Sequence, residues 1–164
     1  MGLLWKMNYI FTDGAARANG KPHCAATAAI WFNEKGDTRV ITDKPSNQRA
    51  ELVAIEMALR LATAELQDKP VTIVTDSLYA IKCLTAWHVT WEKNGWTTAN
   101  KKPVHHQDLL RPCLDMIQRH GNVQFRHQRS HQPRPSGTDT FETYLWQGND
   151  TVDRLAGEAL RQIR

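Results

Sequence analysis

The run Val71-Thr-Ile-Val-Thr75 constrains the fold most. A short, nearly continuous β-branched stretch is expected of a strand buried on both faces in a parallel pairing. Upstream, from Arg49, the residues Leu52, Ile55, Leu59, Ala62 and Leu66 recur at helical spacing until Asp68-Lys-Pro70 interrupts them. Earlier still, Tyr9 to Thr12 is a β-prone run that stops at Asp13-Gly14, the sign of a tight turn. Strand, helix and strand in that order imply a right-handed crossover and an α/β class.

The remaining elements fill in around this unit. Cys24 to Phe32 and Asp37 to Thr42, joined across Asn33-Glu-Lys-Gly36, predict a hairpin that makes the beginning an antiparallel meander. Asp76-Ser77 precedes a second helix carrying Tyr79, Ala80, Ile81, Cys83 and Leu84. Asp108 to His120 reads as a helix with Pro112 in its first turn, and Val123 to His127 as a strand. From Gln132 to Gly148 the Pro, Ser, Gly and Thr content predicts an irregular stretch. Thr151 to Ile163 closes the chain as a helix, by the spacing of Val152, Leu155, Ala159 and Leu160.

With 164 residues the chain suits one domain, 1–164. Its net charge of +4 leaves an anionic partner open. A mean hydropathy of −0.54, with no apolar run near the roughly 18 residues of a membrane span, excludes a membrane-spanning class. No leader-like start is visible. Cys24, Cys83 and Cys113 are scattered and odd in number, which predicts reduced thiols and a cytoplasmic location. Neither CxxC nor HExxH occurs, so a structural zinc site has no support.

Chemistry concentrates in acids. Asp13 and Asp76 stand at predicted strand ends, where sites form in open α/β sheets, and Glu51 lies near the start of the helix between them. Asp153, on the first turn of the last helix, is a fourth. Taken singly, each also reads as a cap or turn residue, and for Asp76 and Asp153 alone that reading is the stronger; the arrangement carries the argument. Converging carboxylates repel one another unless hard cations neutralise them, which points to oxygen-ligated Mg²⁺ or Mn²⁺. Two such ions about 3.5 to 4 Å apart activate a water and stabilise the leaving oxygen of a phosphodiester.

Four motifs carry a resemblance. Thr12-Asp-Gly14, Asn47-Gln-Arg-Ala-Glu51, Val74-Thr-Asp-Ser77 and Asn149-Asp-Thr-Val-Asp153 resemble, in order, the carboxylate motifs of type-I ribonuclease H. Trp87-His-Val-Thr-Trp91, followed by Gly95-Trp-Thr-Thr-Ala-Asn-Lys-Lys-Pro-Val104, looks like the basic protrusion of the bacterial-type enzymes, spanning 87–106. The resemblance runs from about Tyr9 to the C-terminus. It implies a ribonuclease H-like fold, a five-stranded mixed sheet of three antiparallel strands with parallel additions, flanked by helices. It also implies a metal-dependent endoribonuclease that hydrolyses the RNA strand of an RNA/DNA hybrid, leaving 5′-phosphate and 3′-hydroxyl ends. Two Mg²⁺ ions, replaceable by Mn²⁺, would sit on Asp13, Glu51, Asp76 and Asp153, in a monomer.

Further roles follow by the same matching. His131 takes the place of the family's mobile catalytic histidine, with His127, four residues earlier, as its competitor. Asn19, Asn47, Gln48 and Ser77 match positions that line the hybrid's minor groove or backbone, where a 2′-hydroxyl distinguishes RNA from DNA. Ser46 is a candidate for a DNA-strand phosphate. Trp87, Lys93, Trp96, Lys101 and Lys102 would cradle the DNA strand by stacking and charge, while Trp91 reads equally well as packed. Between Asp115 and Asp139 no acid occurs, and Arg119, Arg126, Arg129 and Arg134 form a second basic feature.

The chain departs from the family pattern twice. Residues 132–148 replace a short glycine-containing loop with a long connection, expected to lie near the active site and shape substrate access or histidine mobility. After the first aspartate, Gly14-Ala-Ala-Arg-Ala-Asn-Gly20 is poorer in glycine than usual. The rival reading is a non-catalytic nucleic-acid-binding module on the same fold. Four retained acids count against it. Another nuclease of this fold, an integrase or resolvase, fits the acids but not the protrusion.

Overall fold

A computed structural model describes residues 8–137 and 140–164. Five strands, β1 (Tyr9–Arg17), β2 (Ala25–Phe32), β3 (Lys35–Val40), β4 (Val71–Thr75) and β5 (Val123–His127), form one mixed sheet in the order β3-β2-β1-β4-β5. The first three pair antiparallel, and β4 and β5 add parallel on the other side of β1. The expected mixed sheet is what forms.

Alternation along the strands sends neighbouring side chains into two core layers. Ile10 and Ile73 enter one layer with Leu52, Ile55 and Leu59 of α1 (Asn47–Glu65) and Leu110 of α4 (Gln107–His120). Phe11 and Val74, one residue on, enter the other with Leu145, Val152 and Ala156 of α5 (Thr140–Arg161). The β-branched run of β4 is therefore covered on both sides, as its composition requires. Between β4 and α4 the chain forms α2 (Leu78–Lys82), a π-helical turn (Cys83–Trp87) and α3 (His88–Lys93).

β3 spans Lys35–Val40 rather than the expected Asp37 to Thr42, and three further differences from the sequence expectation bear on the site or the core. Asp13-Gly14 is no turn: β1 continues to Arg17, with Gly14 opposite Ala28. A side chain at Gly14 would stand 2.6 Å from the Glu51 backbone nitrogen, so this glycine serves the close approach of α1 to the strand. Pro112 lies in the second turn of α4, on its exposed side, where the ring removes the N–H that would have bonded the Asp108 carbonyl and Asp108 is itself exposed.

The third difference is the largest. Residues 132–148 are not one loop, because α5 begins at Thr140, and Asp153 consequently sits mid-helix rather than on a first turn. Phe141, Tyr144, Leu145, Gly148 and Val152 form an i, i+3, i+4 stripe, so packing outweighs the loop-like composition nearby. Tyr9 meets the rings of Phe141 and Tyr144 at 5.7 and 6.2 Å, and Phe11 meets Tyr144 at 5.5 Å. Residues 132–137 remain irregular, and 138–139 lie outside the described residues.

Candidate active site

Each acid arrives from a different element. β1 and β4 pair in parallel only from Tyr9↔Thr72 to Phe11↔Val74, so Asp13 projects just past the paired region, next to Asp76 at the end of β4. The Gly14 contact brings the first turns of α1 against β1, which carries Glu51 inward. Carboxylate oxygens of Asp13, Glu51 and Asp76 lie within 4.8 Å of one another. Asp13 is only 4% and Glu51 6% exposed, while Asp76 is half-buried. Asp153 reaches Asp13 from α5, completing the predicted quartet.

Electrostatics set the character of this cluster. Burial, contact with Asp153, and the charges of Asp76 and Asp153 push the Asp13 carboxyl up to about 9. Burial first, then Asp76 and Asp13, holds Glu51 well above the usual carboxylate range. Carboxyl groups this close are mutually favourable only while they share protons. Glu51 Oε1 and Asp76 Oδ1 are buried without a hydrogen-bond partner among the described residues. An all-oxygen donor set with orphaned buried oxygens fits a hard divalent cation, which would take the place of the shared protons.

The helix that carries Glu51 is anchored by a residue that sequence reasoning passed over. Arg49, almost fully buried, donates to both Asp108 carboxylate oxygens at 3.1 and 2.7 Å and to the Asp43 carbonyl at 3.1 Å. Asp108 is held below the usual carboxylate range by that guanidinium. His106, beside it, is pushed down by burial and then by Arg49. The fork ties α1 to α4 and to the loop after β3. Its motif position was visible in the sequence, but not that its partner lies 59 residues away.

The two histidines occupy different environments. His127, half-buried at the end of β5, has Nε2 3.2 Å from the Asp76 carbonyl. His131, exposed beyond it, has Nδ1 3.8 Å from Asp153 Oδ2.

The predicted recognition residues divide. Ser46 Oγ caps α1 by accepting from Arg49 N, and Ser77 Oγ caps α2 by accepting from Ala80 N, both at 3.1 Å. Asn19 Oδ1 accepts from the Asn47 backbone N–H at 3.0 Å, joining the loop after β1 to the start of α1. Asn47 and Gln48 are exposed there. Trp87 is 42% exposed and Lys93, Lys101 and Lys102 face solvent. Trp96 is a correction: it is 7% exposed, with the tilted Trp91 ring at 5.8 Å and the Arg111 guanidinium over its ring at 5.3 Å, so it belongs to the core. Nothing in a motif separates Trp87 from Trp96, since exposure depends on what packs over each ring. Of the second basic feature, Arg126 lies over the Phe141 ring and Arg134 over that of Trp146.

A mixed five-stranded sheet with carboxylates from β1, α1, the end of β4 and α5 gathered at one place is a setting suited to a hard divalent cation. The profile of the RNase H family matches residues 6–161, and the chain belongs to that family. It is 34% identical to the Ribonuclease H of Novosphingobium aromaticivorans, covering 92% of this chain and 94% of that protein. The Ribonuclease H of Pseudomonas savastanoi pv. phaseolicola is 31% identical, covering 94% and 93%. Among solved structures, the solution structure of the PFV RNase H domain is similar in fold, with a TM-score of 0.70 at 23% identity, covering 95% of each chain. The chain is therefore a ribonuclease H-type hydrolase.

Proposed function

We propose that this protein cleaves the RNA strand of an RNA/DNA hybrid endonucleolytically, with two divalent ions held by Asp13, Glu51, Asp76 and Asp153, leaving 5′-phosphate and 3′-hydroxyl ends. The carrying observation is the buried carboxylate cluster with orphaned Glu51 and Asp76 oxygens. When bound, Mg²⁺ or Mn²⁺ would supply charge neutralisation and an acidified water. The chain's own residues do the rest. Burial of Asp13 and Glu51 keeps bulk water from competing for the donor oxygens. His131, exposed beside Asp153, carries protons to and from solvent, whereas His127 is engaged with the Asp76 backbone.

Asn19, Asn47, Gln48 and Ser77 would meet the hybrid's minor groove and backbone. The Ser46 and Ser77 hydroxyls accept in their caps and keep their own protons to donate. Trp87, Lys93, Lys101 and Lys102 would receive the DNA strand, an exposed ring with three exposed cations around it. Residues 132–137, which follow His131, would shape access to the site. Three free cysteines, two of them buried, suit a cytoplasmic monomer, and no described helix is long and apolar enough to cross a membrane. One relative in fold, LC11-RNase H1, was solved in complex with an RNA/DNA hybrid, with a TM-score of 0.61 at 18% identity and coverage of 94% and 96%.

The test is cleavage of an end-labelled RNA/DNA hybrid with Mg²⁺ or Mn²⁺, beside RNA/RNA and DNA/DNA duplexes and an Asp76→Asn control. The expected result is metal-dependent cutting confined to the hybrid's RNA strand and lost in the control. A hybrid bound but never cut would sink this reading in favour of a binding module. His131→Ala is expected to slow cleavage more than His127→Ala, and the reverse order would reassign the proton carrier.

A further inference from the structure

Trp146, Asn149 and Asp153 stand at i, i+3 and i+7 on α5, a spacing that lines one side of a helix over about 10 Å. All three reach the chain that leaves β5. Asn149 Nδ2 donates to the Arg129 carbonyl at 3.1 Å, and the Trp146 indole N–H donates to the Gln132 carbonyl at 2.7 Å. Asp153 faces His131 Nδ1 between these two anchors. Two side-chain donors thus bracket His131, one two residues before it and one directly after.

His131 needs such support. It is exposed, and its φ of +58° is in the left-handed region, which is sparsely populated by residues with a side chain. The chain between His131 and α5 carries no regular structure over residues 132–137, so the hydrogen bonds to Arg129 and Gln132 are what tie it to α5 on either side of the histidine. The Trp146 anchor is itself secured, because the Arg134 guanidinium lies 5.7 Å over the indole ring. Asn149 falls within the family's last motif. Trp146 lies before it, on the turns of α5 that the composition disguised as loop.

We propose that Trp146 is a positioning residue: its indole N–H fixes the backbone at Gln132 and so holds His131 at Asp153. It acts through the histidine and touches no reacting group. The inference rests on the role given to His131 above.

The test is a double-mutant cycle read in hybrid cleavage at saturating Mg²⁺. Trp146→Phe keeps an aromatic ring beneath Arg134 and removes the N–H. It is expected to lower kcat about five- to tenfold, the scale of one neutral hydrogen bond, with KM unchanged. In a His131→Ala background it should cost nothing further. Full kcat in Trp146→Phe, with His131→Ala slow, would overturn the inference and leave the histidine's role intact. An unaffected His131→Ala would overturn both. Losses that multiply, or that fall on KM, would show that Trp146 acts elsewhere and overturn it too. If phenylalanine lowers Tm, benzothienylalanine at position 146, isosteric with indole but lacking the N–H, takes its place in the same cycle, with the same outcomes deciding.

Discussion

Replacing Asp13 by asparagine should stabilise the metal-free protein while abolishing cleavage. Burial, then Asp153 and the charge of Asp76, moves this carboxyl from an ordinary 3.8 up to about 9. A carboxyl whose folded pKa is raised binds its proton more tightly in the folded state than in the unfolded one. Its contribution to stability is complete below 3.8 and is lost progressively as pH rises toward 9. At pH 7 about three units of that window have been crossed, and at 1.36 kcal/mol per unit the loss is on the order of 4 kcal/mol. Asparagine has nearly the same shape and no charge to desolvate, so the variant escapes the loss. Water reaching half-buried Asp76 screens part of the repulsion, and half the figure, about 2 kcal/mol, corresponds to about 4–8 °C in Tm for a chain of this size. Scanning calorimetry in a chelator at pH 5 and pH 8 measures it. The advantage of Asp13→Asn should widen from the first pH to the second, and millimolar Mg²⁺ should raise wild type and narrow the gap. A variant no more stable than wild type at pH 8 without metal, or a gap independent of pH, would refute burial and repulsion as the cause.

Two further outcomes follow from packing and charge. At Gly148 a Cβ would stand 2.3 Å from the Phe11 ring, which is itself buried, so Gly148→Ala should destabilise by about 1–3 kcal/mol in thermal or denaturant unfolding. An unchanged Tm would mean that α5 can lift from the sheet without loss. Neutralising Lys93, Lys101 and Lys102 together should reduce the slope of log binding constant against log salt for a hybrid by up to about 2 to 3, and an unchanged slope removes them from the interface.

Residue order alone carries local chemistry and periodicity. The β-branched run of β4 and the apolar stripe of α1 predicted their elements because burial on two faces, or on one, writes directly into residue order. The four acids were legible through short motifs that resemble the family's, although Asp13 lies inside β1 rather than at its end and Asp153 lies mid-helix rather than on a first turn. Tertiary structure alone decided what depends on a partner remote in the chain. Asp13-Gly14 reads as a turn until α1 is placed against Gly14, and residues 140–148 read as loop until Tyr9 and Phe11 supply the surface on which Phe141, Tyr144 and Leu145 pack. Trp96 and Trp87 are the same residue type in one motif, and only the rings and guanidinium around Trp96 make it core. Arg49 with Asp108, and Trp146 with Gln132, are likewise pairs whose meaning arises from contact across the fold. Hydrophobic spacing is a property of a segment, whereas burial, pKa and hydrogen-bond partnership are properties of the space between segments.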